Sequence, residues 1–459
     1  MIPVLEFQER SLNGPVMKMD EFDLVLAKKV RELVKKFGIT YNPEELIPDD
    51  ATVDAVYQAG VELLADIGVL NIETNRVIKW TKEEIEQDVR RYRETPQVLT
   101  FGRGKDTHAI VPLTEEDNRP PVSWGLASGV IQEEWLIPFI QSIAQEECVR
   151  GFGIAGGIAS VGGVVPKAGC PSEIYCGLWE ARAQLEAVRR AGRPHLHLGL
   201  IPTVSTTGGT VAVLGSGLHE AHNSMIGIHI IPEQKLDQTR LNLALVCEER
   251  GISPWTSTMS LLGGLCGGPA GVSVGMMANF LGQLSYAHGK MGSFYVNDMT
   301  GRASHREALW TYAACFRAAG RNIGISTGTC CGDSGPAFSV EEQICRGVSM
   351  AVTLSACGGA YNWGTGSNSL TARIQHDVMG NVAGMSKDKV RGILNSLSVM
   401  FDEMTAAGGN QLLFNDMIFP AFYDIAAVKP KPEYVDTCKR AVEKLAGCGV
   451  PISDKLVLD

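Results

Sequence analysis

Eight short, uncharged runs rich in β-branched and small residues recur from about residue 120 onward, separated by longer amphipathic stretches. These runs lack the polar face of a half-exposed strand, as do strands that are buried on both faces of a parallel sheet. Eight strand and helix units within roughly 250 residues predict a closed (β/α)8 barrel, a TIM barrel of the α/β class. The predicted strands are residues 121–124, 151–155, 195–201, 226–231, 254–261, 292–297, 322–326 and 359–363. The clearest predicted helices between them are residues 133–147, 172–191, 233–249, 271–286, 304–319 and 339–355.

The segments on either side of the barrel are predicted to be helical. A chain of 459 residues exceeds the size at which one small core stops growing, so a barrel needs additions. Apolar residues at helical spacing predict helices over 22–36 and 53–67, and further helices over 386–407 and 432–445. We therefore predict an N-terminal helical extension over 1–118, the barrel over 119–380 and a C-terminal helical segment over 381–459.

Charge and composition exclude several classes of partner. The formal net charge is -10 and no basic run is long enough to follow a phosphate backbone, so no nucleic-acid partner is expected. Acidic residues interrupt the N-terminus before an apolar stretch can form, which predicts no signal peptide and a cytoplasmic protein. Residues 251–290 are nearly uncharged but rich in glycine and polar residues, and they predict strand, loop and buried helix rather than a membrane span. The twelve cysteines form no CxxC pair.

In a TIM barrel the functional residues lie where the strands end, at the C-terminal face. Tryptophan, tyrosine, histidine, asparagine and aspartate occur at these predicted strand ends. The candidates there are Trp124, His195, His197, Ile201, His229, Trp255, Asn297, Asp298, Thr329, Asp333, Tyr361, Asn362 and Trp363.

Two histidines and a set of aromatic residues each admit two interpretations. His195 and His197 share one face of a strand, which suits a metal, although histidines satisfied inside the barrel are commoner. The rings of Trp124, Trp255, Tyr361 and Trp363 could surround an alkylammonium cation, although packing is the commoner role.

Two further motifs have ordinary structural interpretations. His219 and His222 are spaced i and i+3, which is not the zinc-protease pattern, and we expect them on a helix surface. The glycine-rich segment 263–271 matches no phosphate-binding motif and predicts a tight turn, with ligand or partner binding as the alternative.

Several segments occur in an order that resembles the monomethylamine:corrinoid methyltransferases. The resemblance covers roughly residues 20–450, and no single motif within it is diagnostic. The segments are Val165-Pro166-Lys167, Pro171-Ser172-Glu173, Ala191-Gly192-Arg193-Pro194, Gly199-Leu200, Glu233-Gln234-Lys235-Leu236-Asp237, Gly263-Gly264 with Gly267-Gly268, Arg306-Glu307-Ala308-Leu309 and Gly335-Pro336.

The resemblance implies a (β/α)8 barrel that assembles as a homohexamer. It also implies that a small methylated amine at the barrel mouth gives its methyl group to the Co(I) corrinoid (cobalamin) of a separate corrinoid protein, with no cofactor tightly bound to the chain itself. In the methylamine enzymes a pyrrolysine binds and orients the amine. The Gly199-Leu200 anchor puts the place of that residue at Ile201, or at Pro202 if a gap is shifted.

The resemblance also locates three further pocket positions. Two family glutamates and a glutamine align approximately with Gly227, Ser257 and Thr329, so ionisable and amide groups have become small or neutral. A primary ammonium would then be poorly paired, which leads to the hypothesis that the methyl donor is a quaternary or otherwise preactivated N-methyl compound.

The predicted catalytic positions are Ile201, Gly227, Ser257 and Thr329. The predicted substrate-binding residues are His195, His197, Trp255, Asn297, Asp333, Tyr361 and Trp363.

Two other functions fit the same sequence. A metal-dependent lyase or hydrolase could use His195, His197 and Asp298 on the same barrel. A non-catalytic homologue could retain only the surface that binds the corrinoid protein.

Overall fold

Eight parallel strands close into a barrel in the computed structural model of the chain. The structure describes residues 2–127, 130–154, 157–199, 207–220, 223–229, 231–332, 335, 337–364, 369–408, 412 and 419–459. The barrel strands are β1 (Val122–Ser123 and Gly125–Ala127), β2 (Gly151–Ile154), β3 (His197–Leu198), β4 (Met225–His229), β5 (Ser253–Leu261), β6 (Met291–Asn297), β7 (Ser326–Thr329) and β8 (Tyr361–Asn362).

Backbone pairing shows how the barrel closes. Neighbouring strands pair in parallel from β1 to β3 and from β4 to β8, and β8 returns to β1 through Tyr361 opposite Val122. The amide of Met225 donates to the carbonyl oxygen of Gly199 at 2.6 Å and so joins β4 to the end of β3. The predicted fold is confirmed.

A helix follows every barrel strand and covers the outside of the barrel. Apolar side chains of these helices and the outward side chains of the strands form one large core, as expected for a parallel sheet under helices. The barrel helices are α5 (Glu133–Ala144), α6 (Pro171–Arg190), α7 (Thr207–Gly215), α8 (Gln238–Arg250), α9 (Pro269–Tyr286), α10 (Arg306–Asn322), α11 (Val340–Ala356) and α12 (Ser369–Val382).

The flanking segments pack on the outside of the barrel. The N-terminal helices contact α8, α9 and α10, and the C-terminal helices contact α11 and α12. The N-terminal helices are α1 (Val4–Asn13), α2 (Met19–Lys36), α3 (Asp50–Ile67) and α4 (Lys82–Glu94). The C-terminal helices are α13 (Lys387–Ala407), α14 (Phe419–Phe422) and α15 (Pro432–Gly447).

The N-terminal extension also contains strands, which differs from the helical prediction. Val69–Asn71 pairs with Arg76–Ile78 and with the short strand Lys235–Leu236, and Leu99–Phe101 pairs with His108–Ile110 as a hairpin. We call the second pair the plug hairpin, because it lies against the N-terminal ends of the barrel strands. The four strands of the extension have three residues each, too few for an alternating pattern to show in the sequence.

Helix α8 and strand β7 show the largest delays between the predicted and the observed start of a barrel element. Helix α8 begins at Gln238 rather than near Glu233, because the Asp237 carboxylate caps it by accepting from the amide of Arg240 at 3.0 Å. Strand β7 begins at Ser326, since α10 continues to Asn322 and Gly324 then turns the chain with a φ of +75°.

The nearly uncharged segment 251–290 forms β5, a turn and the buried helix α9, as predicted. In its turn the Gly263 amide donates to the carbonyl of Gly267 at 2.9 Å, and both glycines have positive φ. Within the described part of the chain, no helix combines the length and apolar character needed to cross a membrane.

Candidate active site

Aromatic rings fill the part of the barrel interior nearest the N-terminal ends of the strands. Trp124, Trp255, Tyr361 and Trp363 are each at most 1 % exposed, and we call them the aromatic floor. The Trp363 ring lies 4.7 Å from that of Trp124 and 5.2 Å from that of Trp255. The indole N–H of Trp255 donates to the hydroxyls of Ser293 at 3.1 Å and Tyr361 at 3.0 Å.

Glycines on β2 and next to β3 make room for these rings. A Cβ atom on Gly153 or on Gly199 would lie 2.6 Å from the ring of Trp363. No ordinary Cβ contact is so short, so the floor depends on glycine at both positions. The rings of Trp255, Tyr361 and Trp363, predicted to bind substrate, are packed against each other and against Trp124, which agrees with packing, the commoner of the two roles considered for these rings.

The two strand histidines do not meet at the barrel mouth. His195 is exposed and precedes β3, on the side of the N-terminal strand ends. His197 is fully buried, stacks on Phe101 of the plug hairpin at 4.1 Å, and bonds through Nδ1 to the carbonyl of Asn223 at 3.0 Å. Burial, with His108 nearby, holds the pKa of His197 well below its ordinary value, so the ring is neutral.

The arrangement gives no support to the metal-dependent alternative. Asp298 lies beyond β6, where its carboxylate accepts from the amides of Thr300 and Arg302 in its own loop. His195 and His197 belong to the opposite end of the barrel. Among the described residues no three histidine, cysteine, aspartate or glutamate side chains come together in a metal-binding group.

Inward side chains of β4, β5 and β6 form rows above the aromatic floor. Strand register pairs Gly227 with Trp255, then His229 with Ser257, and one step higher Met259 with Tyr295. The Ser257 hydroxyl bonds to Nδ1 of His229, whose ring stands edge-on to Trp255 at 5.2 Å. Gly227, His229 and Tyr295 are partly exposed and Met259 is 40 % exposed. We call His229, Ser257, Met259 and Tyr295 the mouth cluster.

Of the other predicted site residues, Asn297 lies at the barrel mouth and Thr329 does not. Asn297 ends β6 and is partly exposed, in register with Leu261 of β5. Thr329 contradicts the prediction, because its hydroxyl donates to the carbonyl of Phe294 at 2.7 Å on the helix-facing side of the sheet. Successive residues of a strand face opposite ways, so Gly328 and Cys330 occupy the inner face of β7. Ile201 and Asp333 lie outside the described residues.

His229, Met259 and Tyr295 are the residues of the mouth cluster that the predicted catalytic and substrate-binding sets do not include. Burial lowers the pKa of His229 to about 4, and the neighbouring Arg240 guanidinium adds to this effect. The imidazole is therefore uncharged near neutral pH. His229 stood among the strand-end residues, but its partner Ser257 is 28 positions away and only the parallel register brings them together. Burial also raises the pKa of Tyr295, which keeps its phenol neutral.

Comparison with known proteins agrees with this architecture. Residues 2–450 match the family described as Monomethylamine methyltransferase MtmB. The chain belongs to the MtmB family. Curated MtmB relatives include those of Methanosarcina mazei and, as MtmB1, Methanosarcina acetivorans, each 24 % identical with 97 % of both chains covered.

Solved MtmB structures share the barrel. The crystal structure of the Methanosarcina barkeri monomethylamine methyltransferase matches with a TM-score of 0.88 at 20 % identity, covering 98 % of this chain and 99 % of that one. A hydroxylamine complex of MtmB matches with the same TM-score at 21 % identity. MtmB enzymes are amine:corrinoid methyltransferases that use a corrinoid carried by a separate protein. Because the chain belongs to this family, we interpret the residues of the barrel mouth in terms of methyl transfer.

Proposed function

We propose that the chain is a corrinoid-dependent methyltransferase whose methyl donor is a quaternary or otherwise preactivated amine, not monomethylamine. The observation that carries this proposal is the neutrality of the mouth cluster. It combines a phenol, a thioether, a hydroxyl and an imidazole that burial keeps uncharged. None of the described inward-facing residues of the barrel strands is a carboxylate.

A quaternary ammonium suits such a mouth better than a primary one. A primary ammonium brings three N–H donors, and each one that stays unpaired after burial costs free energy. A quaternary ammonium has no N–H donors and is attracted instead to aromatic faces and polarisable groups. Tyr295 and Met259 present these groups side by side on adjacent strands.

The reaction requires little from the protein beyond binding and alignment. When bound at the mouth, the reduced corrinoid of the partner supplies the nucleophile that accepts the methyl group. The electron pair of the broken carbon–nitrogen bond stays on nitrogen, so a quaternary donor leaves as a neutral tertiary amine. No side chain has to supply a proton, and the mouth cluster has to orient the donor and exclude water.

Exposed apolar side chains around the mouth fit a partner protein that delivers its corrinoid there. Met299 is 73 % exposed and Val165 is 57 % exposed, and Leu265 is exposed as well. All three lie in loops that follow the C-terminal ends of β2, β5 or β6. Apolar residues gathered at one end of a barrel are typical of a protein interface.

Assembly into a homohexamer also stays a prediction, to be tested by analytical ultracentrifugation.

A donor panel tests the proposed function. The chain is incubated with a Co(I) corrinoid protein and either monomethylamine, dimethylamine, trimethylamine, tetramethylammonium, choline or trimethylglycine, while methylation of cobalt is followed by absorbance. We expect turnover with at least one quaternary donor. Turnover of monomethylamine alone contradicts the proposal. Stable binding of the corrinoid protein with no turnover of any donor indicates the non-catalytic alternative instead.

Replacing Tyr295 tests the aromatic face. The Tyr295→Ala variant should bind a quaternary ammonium about 10- to 30-fold more weakly, because a desolvated cation–π contact contributes about 2 kcal/mol. The Tyr295→Phe variant keeps the ring and should stay within about threefold of the parent. Isothermal calorimetry with the quaternary donor that is turned over measures both affinities. Equal weakening by alanine and phenylalanine would exclude a role for the ring face.

A further inference from the structure

His229 and Ser257 form a positioned pair at the level between the aromatic floor and the mouth. They are register partners on β4 and β5, and their side chains bond through Nδ1 and Oγ. Both side chains point into the barrel, on the same faces as Gly227 and Trp255 two residues earlier. A donor that rests on Tyr295 and Met259 would meet this pair directly beneath them.

Hydrogen bonds from the surrounding helices fix the backbone of both strands at the pair. The side-chain amide of Gln283 donates to the carbonyl of Ile228 at 3.1 Å and to that of Ser257 at 2.8 Å. On the other side, Nε of Arg240 donates to the carbonyl of His229 at 2.8 Å. Because α8 and α9 hold the two strand ends, the pair is preorganised rather than adaptable.

The hydrogen bond between Ser257 and His229 determines which ring nitrogen of His229 carries the proton. The ring is neutral, so one nitrogen donates and the other accepts. Among the described residues the only acceptor within reach of the Ser257 hydroxyl is Nδ1 of His229. If Nδ1 accepts that proton, Nε2 carries the N–H, and this donor makes no hydrogen bond within the described part of the chain.

We infer that the Nε2–H of His229 binds an oxygen acceptor of the methyl donor, so the substrate is an N-methylated amine that also carries a hydroxyl, carbonyl or carboxylate. This inference rests on the proposed function and narrows its substrate class. His229 is partly exposed, so this N–H is accessible from the mouth until a bound methyl donor covers it. A methyl donor without an oxygen acceptor would then leave the covered N–H unpaired, and buried polar groups are rarely left so. Ser257 acts as a positioning residue, since it fixes the tautomer and the ring orientation of His229.

Matched ligands test the inference without any turnover. Calorimetry on the purified chain compares choline, trimethylglycine and propyltrimethylammonium, in which a methyl group replaces the hydroxyl of choline. A neutral hydrogen bond contributes about 1 kcal/mol and a charge-assisted one about 1.5–3 kcal/mol. We therefore expect one or both oxygen-bearing ligands to bind at least about fivefold more tightly than propyltrimethylammonium. The tighter of the two distinguishes a hydroxyl acceptor from a carboxylate.

Two amide variants test which ring nitrogen of His229 donates the hydrogen bond to the ligand. The amide nitrogen of glutamine reaches the position of Nε2, whereas that of asparagine reaches only the position of Nδ1. The His229→Gln variant should keep most of the preference for the oxygen-bearing ligand, and the His229→Asn variant should lose it. The Ser257→Ala variant should reduce the preference in part, and Ser257→Thr should restore it. Circular dichroism verifies that each variant is folded.

The outcomes separate this inference from the proposed function. If propyltrimethylammonium binds as tightly as both oxygen-bearing ligands, the inference is wrong while the quaternary donor class stands. A preference that survives in His229→Asn also overturns it. Failure of all three ligands to bind overturns the donor class and the inference together. If His229→Asn does not fold, the ligand comparison on the parent chain and His229→Gln still decides.

Discussion

Acidification from about pH 6.5 to about pH 4 is expected to unfold the protein. Burial lowers the pKa of His108, His219 and His229 to about 4 from an ordinary value of 6.5. In the unfolded chain these rings take up protons below about pH 6.5, whereas in the folded chain they do so only below about pH 4. The unfolded state therefore binds more protons within this window, and stability falls as the pH falls.

The size of the effect is comparable with the whole stability of a domain. A shift of one pKa unit corresponds to about 1.4 kcal/mol, so each of the three histidines costs on the order of 3 kcal/mol across the window. Globular proteins have unfolding free energies of about 5–15 kcal/mol. Above pH 6.5 the rings are neutral in both states and contribute no pH dependence.

Urea denaturation at pH 7, 6 and 5 measures this loss of stability. A single variant then shows how much of the loss is due to one histidine. His219 is the cleanest position, because burial is the cause of its lowered pKa and its Nε2 finds no partner in the described structure. The His219→Gln variant should lose less free energy of unfolding between pH 7 and pH 5 than the parent, by about 1–2 kcal/mol. Buried Glu180, whose raised pKa acts in the opposite direction, is common to both proteins and cancels in the comparison. Identical pH profiles would show that His219 titrates normally.

The sequence was sufficient for the order of strands and helices, because strands buried on both faces leave a pattern in composition. It was insufficient where a shift of one or a few residues changes the direction or the burial of a side chain. Thr329 was selected as a pocket residue, but a shift of one position along a strand reverses the direction of the side chain, and Thr329 faces the helices. His219 was expected on a helix surface, yet it lies after the end of α7 and is only 5 % exposed.

The division of the barrel interior into a packed floor and an open mouth also lies beyond the sequence. Trp255 and Tyr295 both sit on inward positions of adjacent strands, and nothing local distinguishes a buried ring from an accessible one. The difference comes from Gly153 and Gly199, which let Trp363 fill the space beside Trp255. Such complementarity joins residues that are more than a hundred positions apart, so it becomes visible only in the folded chain.

Replacing Arg317 should give a large loss of stability from a single substitution. This guanidinium on α10 is 4 % exposed and bonds to the carboxylates of Asp50 and Glu115 and to the carbonyl of Pro48. It thereby joins the barrel to the start of α3 in the N-terminal extension. The Arg317→Met variant removes the buried cation that these three acceptors share, although Glu115 keeps Lys387 at 2.7 Å and Asp50 keeps Arg321 at 3.2 Å. Removing one member of a buried ion pair costs about 3–5 kcal/mol, and the remaining partners place the expected loss near the lower end of this range.

Arg321, one helical turn away, provides the matched control. It bonds to Asp54 of the same extension but is about half exposed, so the Arg321→Met variant should cost no more than about 1 kcal/mol in urea denaturation at pH 7. Glu115→Gln should cost less in the Arg317→Met background than in the parent, because Glu115 then has lost Arg317 and keeps only Lys387 as a cationic partner. Equal costs for the two arginines would show that the extension is held by its apolar contacts alone.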